Sequence, residues 1–251
     1  MPLELTRTPD QVREYLKRNL RSNSADDQVR DRVRLVTGPQ PYAHSHYSAD
    51  RFFRYDAAAG AVHDVYGRRL LRVTGNFLQA LTATLSRESA DAAPGVLYSI
   101  GSAWGAADFR AFVERVQQEY EVEFDKLGMG LMLESWSWPL RACGWGNWRY
   151  DLRHARGGLI FIDLNDSPVA AALGRVDQYA CHLFAGMFAA AFSHLARREL
   201  AGVETRCACK GDDRCRFLVA APRRVKAATA WRDEGAGSDE LVQKLVSMPS
   251  G

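Results

Sequence analysis

Three observations predict an α+β fold in which an antiparallel sheet packs against helices. Short runs of strand-forming residues, bounded by turn residues, recur between Arg51 and Val73 and again at Leu131 to Trp138 and Leu159 to Leu164. A stripe of apolar residues keeps helical spacing from Val176 to Arg198. The sequence then turns back on itself in a hairpin, Ala201 to Ala208 and Arg214 to Ala220, around Lys210-Gly211-Asp212-Asp213.

In order along the chain, Val12, Tyr15, Leu16 and Leu20 fall at helical spacing, so residues 1–49 read as an N-terminal helical extension. It contains a charged stretch, Ser22 to Arg34, and is broken by Gly38-Pro39-Gln40-Pro41. His44 and His46 follow in a loop, where exposed histidines are commoner than metal ligands. Phe52 to Tyr55, Val62 to Tyr66 and Arg69 to Val73 form three short strands, with a turn at Ala58 to Gly60. Thr74 or Asn76 caps a helix carrying Phe77, Leu78, Leu81 and Leu85. Pro94 suits the first turn of the next helix, with Val96, Leu97, Ile100 and Trp104 on its inner face. Phe109, Phe112, Val113 and Val116 continue in another helix to about Glu121.

The long helix of residues 176–198 carries Leu183, Phe184, Met187, Phe188 and Phe192 on its apolar face. Cys181, Ala185, Gly186, Ala189 and Ser193 lie on the adjacent face, and their small size lets another backbone or a ligand approach closely. The main domain spans 50–221. Residues 222–251 read as a C-terminal tail, a linker with a short peripheral helix.

Composition narrows the function. With 47% hydrophobic and 25% charged residues, the 251-residue chain is globular and not disordered. No apolar run approaches the ~18 residues of a membrane span, and the N-terminus lacks a basic flank leading into an apolar stretch, so a cytoplasmic protein is expected. The net charge of +3 is spread along the chain and leaves no nucleic-acid footprint. No phosphate-binding or dinucleotide-binding glycine pattern is present. Five cysteines, an odd number, argue against a disulfide framework.

Three of those cysteines, Cys207, Cys209 and Cys215, crowd the hairpin beside Glu204, and Cys181 precedes them. Folding the hairpin brings Cys207 and Cys215 to one end. Thiolates suit zinc, and a carboxylate can complete a closed tetrahedral site. Arg206, Lys210, Arg214 and Arg216 flank the group and can offset its negative charge. The competing reading is a hairpin with buried free thiols.

The pattern Glu204, Cys207, Gly211 and Cys215, with a cysteine 23 residues before the glutamate, resembles the 4-vinyl reductase (4VR) domain. That domain also forms the aromatic sensor of phenol- and xylene-responsive transcription activators. The likeness extends to Gly67-Arg68-Arg69-Leu70-Leu71, to the helix of Asn76 to Leu85, and to the stretch Leu97 to Gly105, covering roughly residues 50 to 220. It implies a structural zinc on Cys181, Glu204, Cys207 and Cys215, a ligand-binding fold of the nitric-oxide-signalling and Golgi-transport type, and a homodimer. Cys209 points to the same side of a strand as Cys207 and competes with Glu204 for the fourth position.

A second constellation is aromatic: Trp136, Trp138, Trp145 and Trp148, with Phe161, Phe184 and Phe188. Such rings suit a pocket for a planar apolar ligand, or else ordinary core packing, and the resemblance favours the pocket. The stretch Leu159 to Pro168 lacks the tryptophan found there in the phenol sensors, so their ligand contacts do not transfer. Cys143, with His154 or His182 as base, is a weak candidate for nucleophilic catalysis, and an enzyme is not expected. The expected function is a zinc-stabilised sensor for a small hydrophobic or aromatic molecule. It would lack its own DNA-binding or ATPase output, act through an unidentified output protein, and contact neither nucleic acid nor membrane. The alternatives are an accessory protein carrying a tetrapyrrole or other biosynthetic intermediate, and an interaction adaptor without a ligand.

Overall fold

A computed structural model describes residues 52–64, 66–120, 123–126 and 128–248. The expected N-terminal extension, with His44 and His46, lies outside the described residues. In chain order the elements are β1 (Phe53–Asp56), β2 (Ala61–Asp64), β3 (Arg69–Leu70), α1 (Gly75–Glu88), α2 (Ala93–Tyr120), α3 (Met129–Ala142), β4 (Asn147–Asp151) and β5 (Leu159–Asn165). There follow α4 (Pro168–Leu173), α5 (His182–Ala196), β6 (Ala201–Arg206), β7 (Cys215–Ala220), α6 (Pro222–Asp233) and α7 (Ser238–Ser247). The chain divides into two compact units, residues 1–74 with 115–144, and residues 75–114 with 145–251.

In the first unit, β1, β2 and β3 form the expected antiparallel meander. The buried Asp64 carboxylate holds the β2–β3 turn, accepting the backbone N–H groups of Tyr66 at 3.0 Å and Arg68 at 2.9 Å. The segment expected as a strand at Leu131 to Trp138 is instead helix α3. Its Trp-Ser-Trp alternation reads as a strand, but Met132, Leu133, Trp136 and Leu140 bury one helical face. Two turns apart on that helix, Arg141 pairs with Glu134 at 2.6 Å.

The second unit is built on an antiparallel sheet ordered β4-β5-β7-β6. Strand β4 was not expected, because its Trp148 and Tyr150 read as part of an aromatic group. The pleat sends Trp148, Tyr150, Ile162, Leu164 and Phe217 to the face that α5 covers. Leu159, Phe161, Val203, Leu218 and Ala220 occupy the opposite face, where they pack with Val225 and Ala228 of α6 and Leu245 of α7. The expected C-terminal linker and peripheral helix are therefore two helices that close the second side of the sheet. Leu241 and Leu245 are wholly buried there, which requires them to be core.

Helix α2 is one continuous element where two helices were expected. In the second unit its buried stripe is Ala93, Leu97, Gly101, Gly105, Phe109 and Phe112, in steps of three and four. Val96 and Ile100, expected on the inner face, are 38% and 40% exposed, as is Phe77 of α1 at 55%. Glycines take the inner positions because α2 and α5 touch backbone to backbone. A Cβ on Gly101 would sit 1.8 Å from the Leu183 carbonyl oxygen, and one on Gly186 would sit 2.0 Å from that of Tyr98. The small-residue face of α5 thus serves a neighbouring backbone. No helix among the described residues is long and apolar enough to cross a membrane.

Candidate metal centre

The site forms where the first residue of α5 meets the end of the β6–β7 hairpin. On β6, Glu204 pairs with Phe217, so its side chain shares the face that α5 covers. A bulge between Glu204 and Arg206 then resets the strand. Beyond it, a short 3₁₀ turn at Ala208–Lys210 closes on Gly211, whose φ of +99° suits a residue without a Cβ. The Asp212 carboxylate accepts the Cys207 N–H at 2.8 Å and fixes that turn.

Cys181 departs from expectation in an informative way. It is the N-cap of α5 and not part of the helix, which begins at His182 and not at Val176. Its N–H is therefore free of the helical ladder and donates to Glu204 Oε2 at 3.0 Å. Cys181, Glu204, Cys207 and Cys215 are all buried, and their ligand atoms lie within 4.8 Å of one another. The Cys181 and Cys215 sulfurs are 3.5 Å apart. Donors held at the usual zinc distances around one tetrahedral centre would lie roughly 3.3–3.8 Å apart.

Electrostatics show what this group lacks. Burial, then the neighbouring Cys207 thiolate, pushes the Glu204 carboxyl well up. Hydrogen bonding to Cys207 and Cys215, with burial, raises Cys181. Cys207 goes the other way, because the Cys181 and Cys215 thiols donate to its sulfur. For Cys215, the bond with Cys181 pulls down, but the bond with Cys207 and burial together push the thiol up. The site thus holds one negative charge readily and resists more. A second sign is Glu204 Oε1, which is buried without a hydrogen-bond partner. Soft thiols, a carboxylate with an unused oxygen and resistance to further ionisation together fit a divalent cation.

Cys209 stands outside the four. It lies in the 3₁₀ turn and not in a strand, and burial is the main cause that pushes its thiol up to about 12. Its carbonyl instead anchors the segment before α5, accepting Val176 N–H at 2.9 Å and Asp177 N–H at 3.2 Å. The flanking cations have other partners. Arg214 meets Asp163 at 3.1 Å, Arg216 meets Asp151 at 3.0 Å, Arg206 meets Asp239 at 2.9 Å, and Lys210 lies over the Tyr179 ring. Two nearby residues escaped the sequence reading. Arg232 of α6 donates to the Glu204 carbonyl at 3.0 Å, and Ser167 lies 3.3 Å from the Cys181 sulfur. Only Ser167-Pro168, a common helix start, carried a sequence signal.

The aromatic constellation divides. Trp136 and Trp138 lie on α3 in the first unit, where Trp136 is buried and Trp138 meets Phe52 edge-on at 5.1 Å. In the second unit Trp148, Phe184 and Phe188 are wholly buried and pack with Phe217, ring centres 5.0 to 6.3 Å apart. Trp145 is half-buried, 4.7 Å from Trp104 and 6.2 Å from Phe184. Phe161 is not brought to this cluster. It lies on the other side of the sheet, beneath the Arg216 guanidinium at 5.0 Å.

Fold and site define a class: a mixed domain of helices on an antiparallel sheet, with a cluster of three thiols and a carboxylate at its terminal hairpin. Residues 160–221 match the 4-vinyl reductase (4VR) domain, a stretch that contains all four clustered residues, so the resemblance read from the hairpin motif holds. The chain is similar to the phenol-responsive sensory domain of the transcription activator PoxR, solved with phenol. The TM-score is 0.54 at 19% identity, covering 90% of this chain and 99% of that one, and it shows a shared fold. A second similar structure is trafficking protein particle complex subunit 3 from Naegleria fowleri covalently bound to palmitic acid. Its TM-score is 0.44 at 14% identity, covering 58% of this chain and 93% of that one. No curated protein matches the sequence.

Proposed function

We propose that this protein is a small-molecule-binding sensor whose fold is stabilised by one structural zinc ion on Cys181, Glu204, Cys207 and Cys215. The observation that carries the reading is the convergence of these four buried ligand atoms within 4.8 Å. With every position filled by protein, a bound zinc would contribute folding free energy and leave no open site for water. The protein's own residues then tie the start of α5 to the hairpin, and catalysis is not part of the reading.

The proposed ligand is a small hydrophobic or aromatic molecule. Support comes from the domain match over residues 160–221 and from the likeness to a sensory domain whose own ligand is phenol. Within the second unit, the buried rings of Trp148, Phe184 and Phe188 give a rigid base, and the half-buried Trp145 and Trp104 form its accessible edge. A homodimer acting on a separate output protein in the cytoplasm completes the proposal.

Native mass spectrometry with elemental analysis tests both halves. The expected result is one zinc per chain, with a thermal shift on adding phenol, indole or a fatty acid. Protein purified without metal would overturn the zinc site. Soret absorbance would replace the sensor with a tetrapyrrole carrier, and zinc without any ligand response would replace it with an adaptor.

A further inference from the structure

Each of the four clustered donors receives one hydrogen bond from outside the set of ligand atoms. Glu204 Oε2 takes the Cys181 N–H at 3.0 Å, and Cys215 Sγ takes the Ala208 N–H at 3.5 Å. Cys207 Sγ takes a backbone N–H from Ala180. The fourth, Cys181 Sγ, lies 3.3 Å from the Ser167 hydroxyl. Three of these four bonds come from the backbone and survive any substitution that keeps the fold. Ser167 alone of the four offers a side chain.

The direction of that bond follows from its surroundings. Ser167 is the N-cap of α4, and its Oγ accepts the Ala170 N–H at 3.3 Å. The hydroxyl proton is then left to point elsewhere. A metal-bound thiolate has no proton to give, so the hydroxyl donates to sulfur. Ser167 is 4% exposed, which leaves little water to replace it.

We propose that Ser167 is a positioning residue for the metal. Its hydroxyl donates to the Cys181 thiolate, orients that sulfur and offsets part of the negative charge that three thiolates and a carboxylate would concentrate in a buried site. The proposal rests on the zinc reading above. Ser167 itself is not a ligand, since the cluster is complete without it.

The test measures zinc affinity of the full chain by chelator competition, together with the sulfur-to-metal charge-transfer band of the cobalt-substituted protein. Ser167→Ala is expected to weaken zinc roughly ten- to a hundred-fold and to shift the cobalt band. Ser167→Thr keeps the hydroxyl and is expected to restore both. Ser167→Asp keeps the helix cap but has no proton to donate, and is expected to bind zinc at least as weakly as Ser167→Ala. Zinc bound by wild type and Ser167→Ala with equal affinity and an unchanged band would overturn this role and leave the zinc site standing. A wild-type protein that takes up no zinc would remove the zinc site itself. If Ser167→Ala does not fold, the threonine and aspartate variants decide: equal affinity in the two overturns the proposal.

Discussion

Glu204 and its three thiol neighbours cannot all ionise without a cation. In the metal-free site Cys207 holds the charge, while burial and hydrogen bonding keep protons on Glu204, Cys181 and Cys215. Zinc requires all four deprotonated, so loading the site near neutral pH is expected to release about three protons. The sign follows directly: the loaded state binds fewer protons, so zinc affinity rises with pH and falls on acidification. Calorimetry in buffers of differing ionisation enthalpy counts the protons, and release of one or none would contradict the assignment. Without metal, the raised Glu204 loses stabilisation as pH rises above the ordinary carboxylate value, while the lowered Cys207 gains it. The two cancel up to the ordinary thiol range, and metal-free stability should be flat between them. Substitution separates the cysteines. Cys215→Ala is expected to abolish stoichiometric zinc, whereas Cys209→Ala keeps one zinc per chain because its thiol lies outside the cluster. Elemental analysis of the two variants checks both.

At the scale of elements, the second unit depends on how closely its layers approach. The α2–α5 contact leaves no volume for a methyl group at Gly186, where a Cβ would fall 2.0 Å from the Tyr98 carbonyl oxygen. Gly186→Ala must push backbone against backbone. It is expected to destabilise the protein by ~1–3 kcal/mol or more, as overpacking does, measured as a fall in the denaturant midpoint. On the other side of the sheet, α6 and α7 grip three successive residues of β6. Arg232 holds the Glu204 carbonyl, Ser238 meets Thr205 at 3.3 Å, and Asp239 pairs with Arg206. These contacts lie at the bulge from which Glu204 enters the metal cluster, so the C-terminal helices brace a proposed ligand. Leu241→Ala, at a wholly buried position of α7, is expected to cost about 2–5 kcal/mol. Chemical denaturation of the loaded protein gives the value.

At the scale of the molecule, metal and small ligand would both act by binding the folded state in preference to the unfolded one. A ligand present at a hundred times its Kd adds about 2.7 kcal/mol in this way, a thermal shift that is readily measured. Phenol or indole is expected to raise the midpoint of the zinc-loaded protein and to quench tryptophan fluorescence. Trp145→Ala is expected to reduce both responses while leaving zinc content unchanged. The half-buried Trp145 side chain borders the ring cluster but is not among the four clustered donors. Equal responses in both proteins would place the ligand elsewhere.

The amino-acid sequence by itself determined the class of fold, the first meander, strand β5, the terminal hairpin and the identity of the four clustered residues. These are local properties: turn chemistry, apolar periodicity, and cysteine and glutamate spacings that a hairpin converts directly into proximity. Tertiary structure decided the rest. The alternation before Pro139 was overruled by burial of one helical face in α3, and the apparent tail became two helices because the far side of the sheet needed covering. Val96 and Ile100 gave up the inner face of α2 to glycines, since only those let α5 come close. Cys181 left the helix for its cap, and Phe161 fell on the side of the sheet away from Trp148. In each case the deciding term was which surfaces meet, a quantity set by elements distant in the chain and therefore absent from any local pattern.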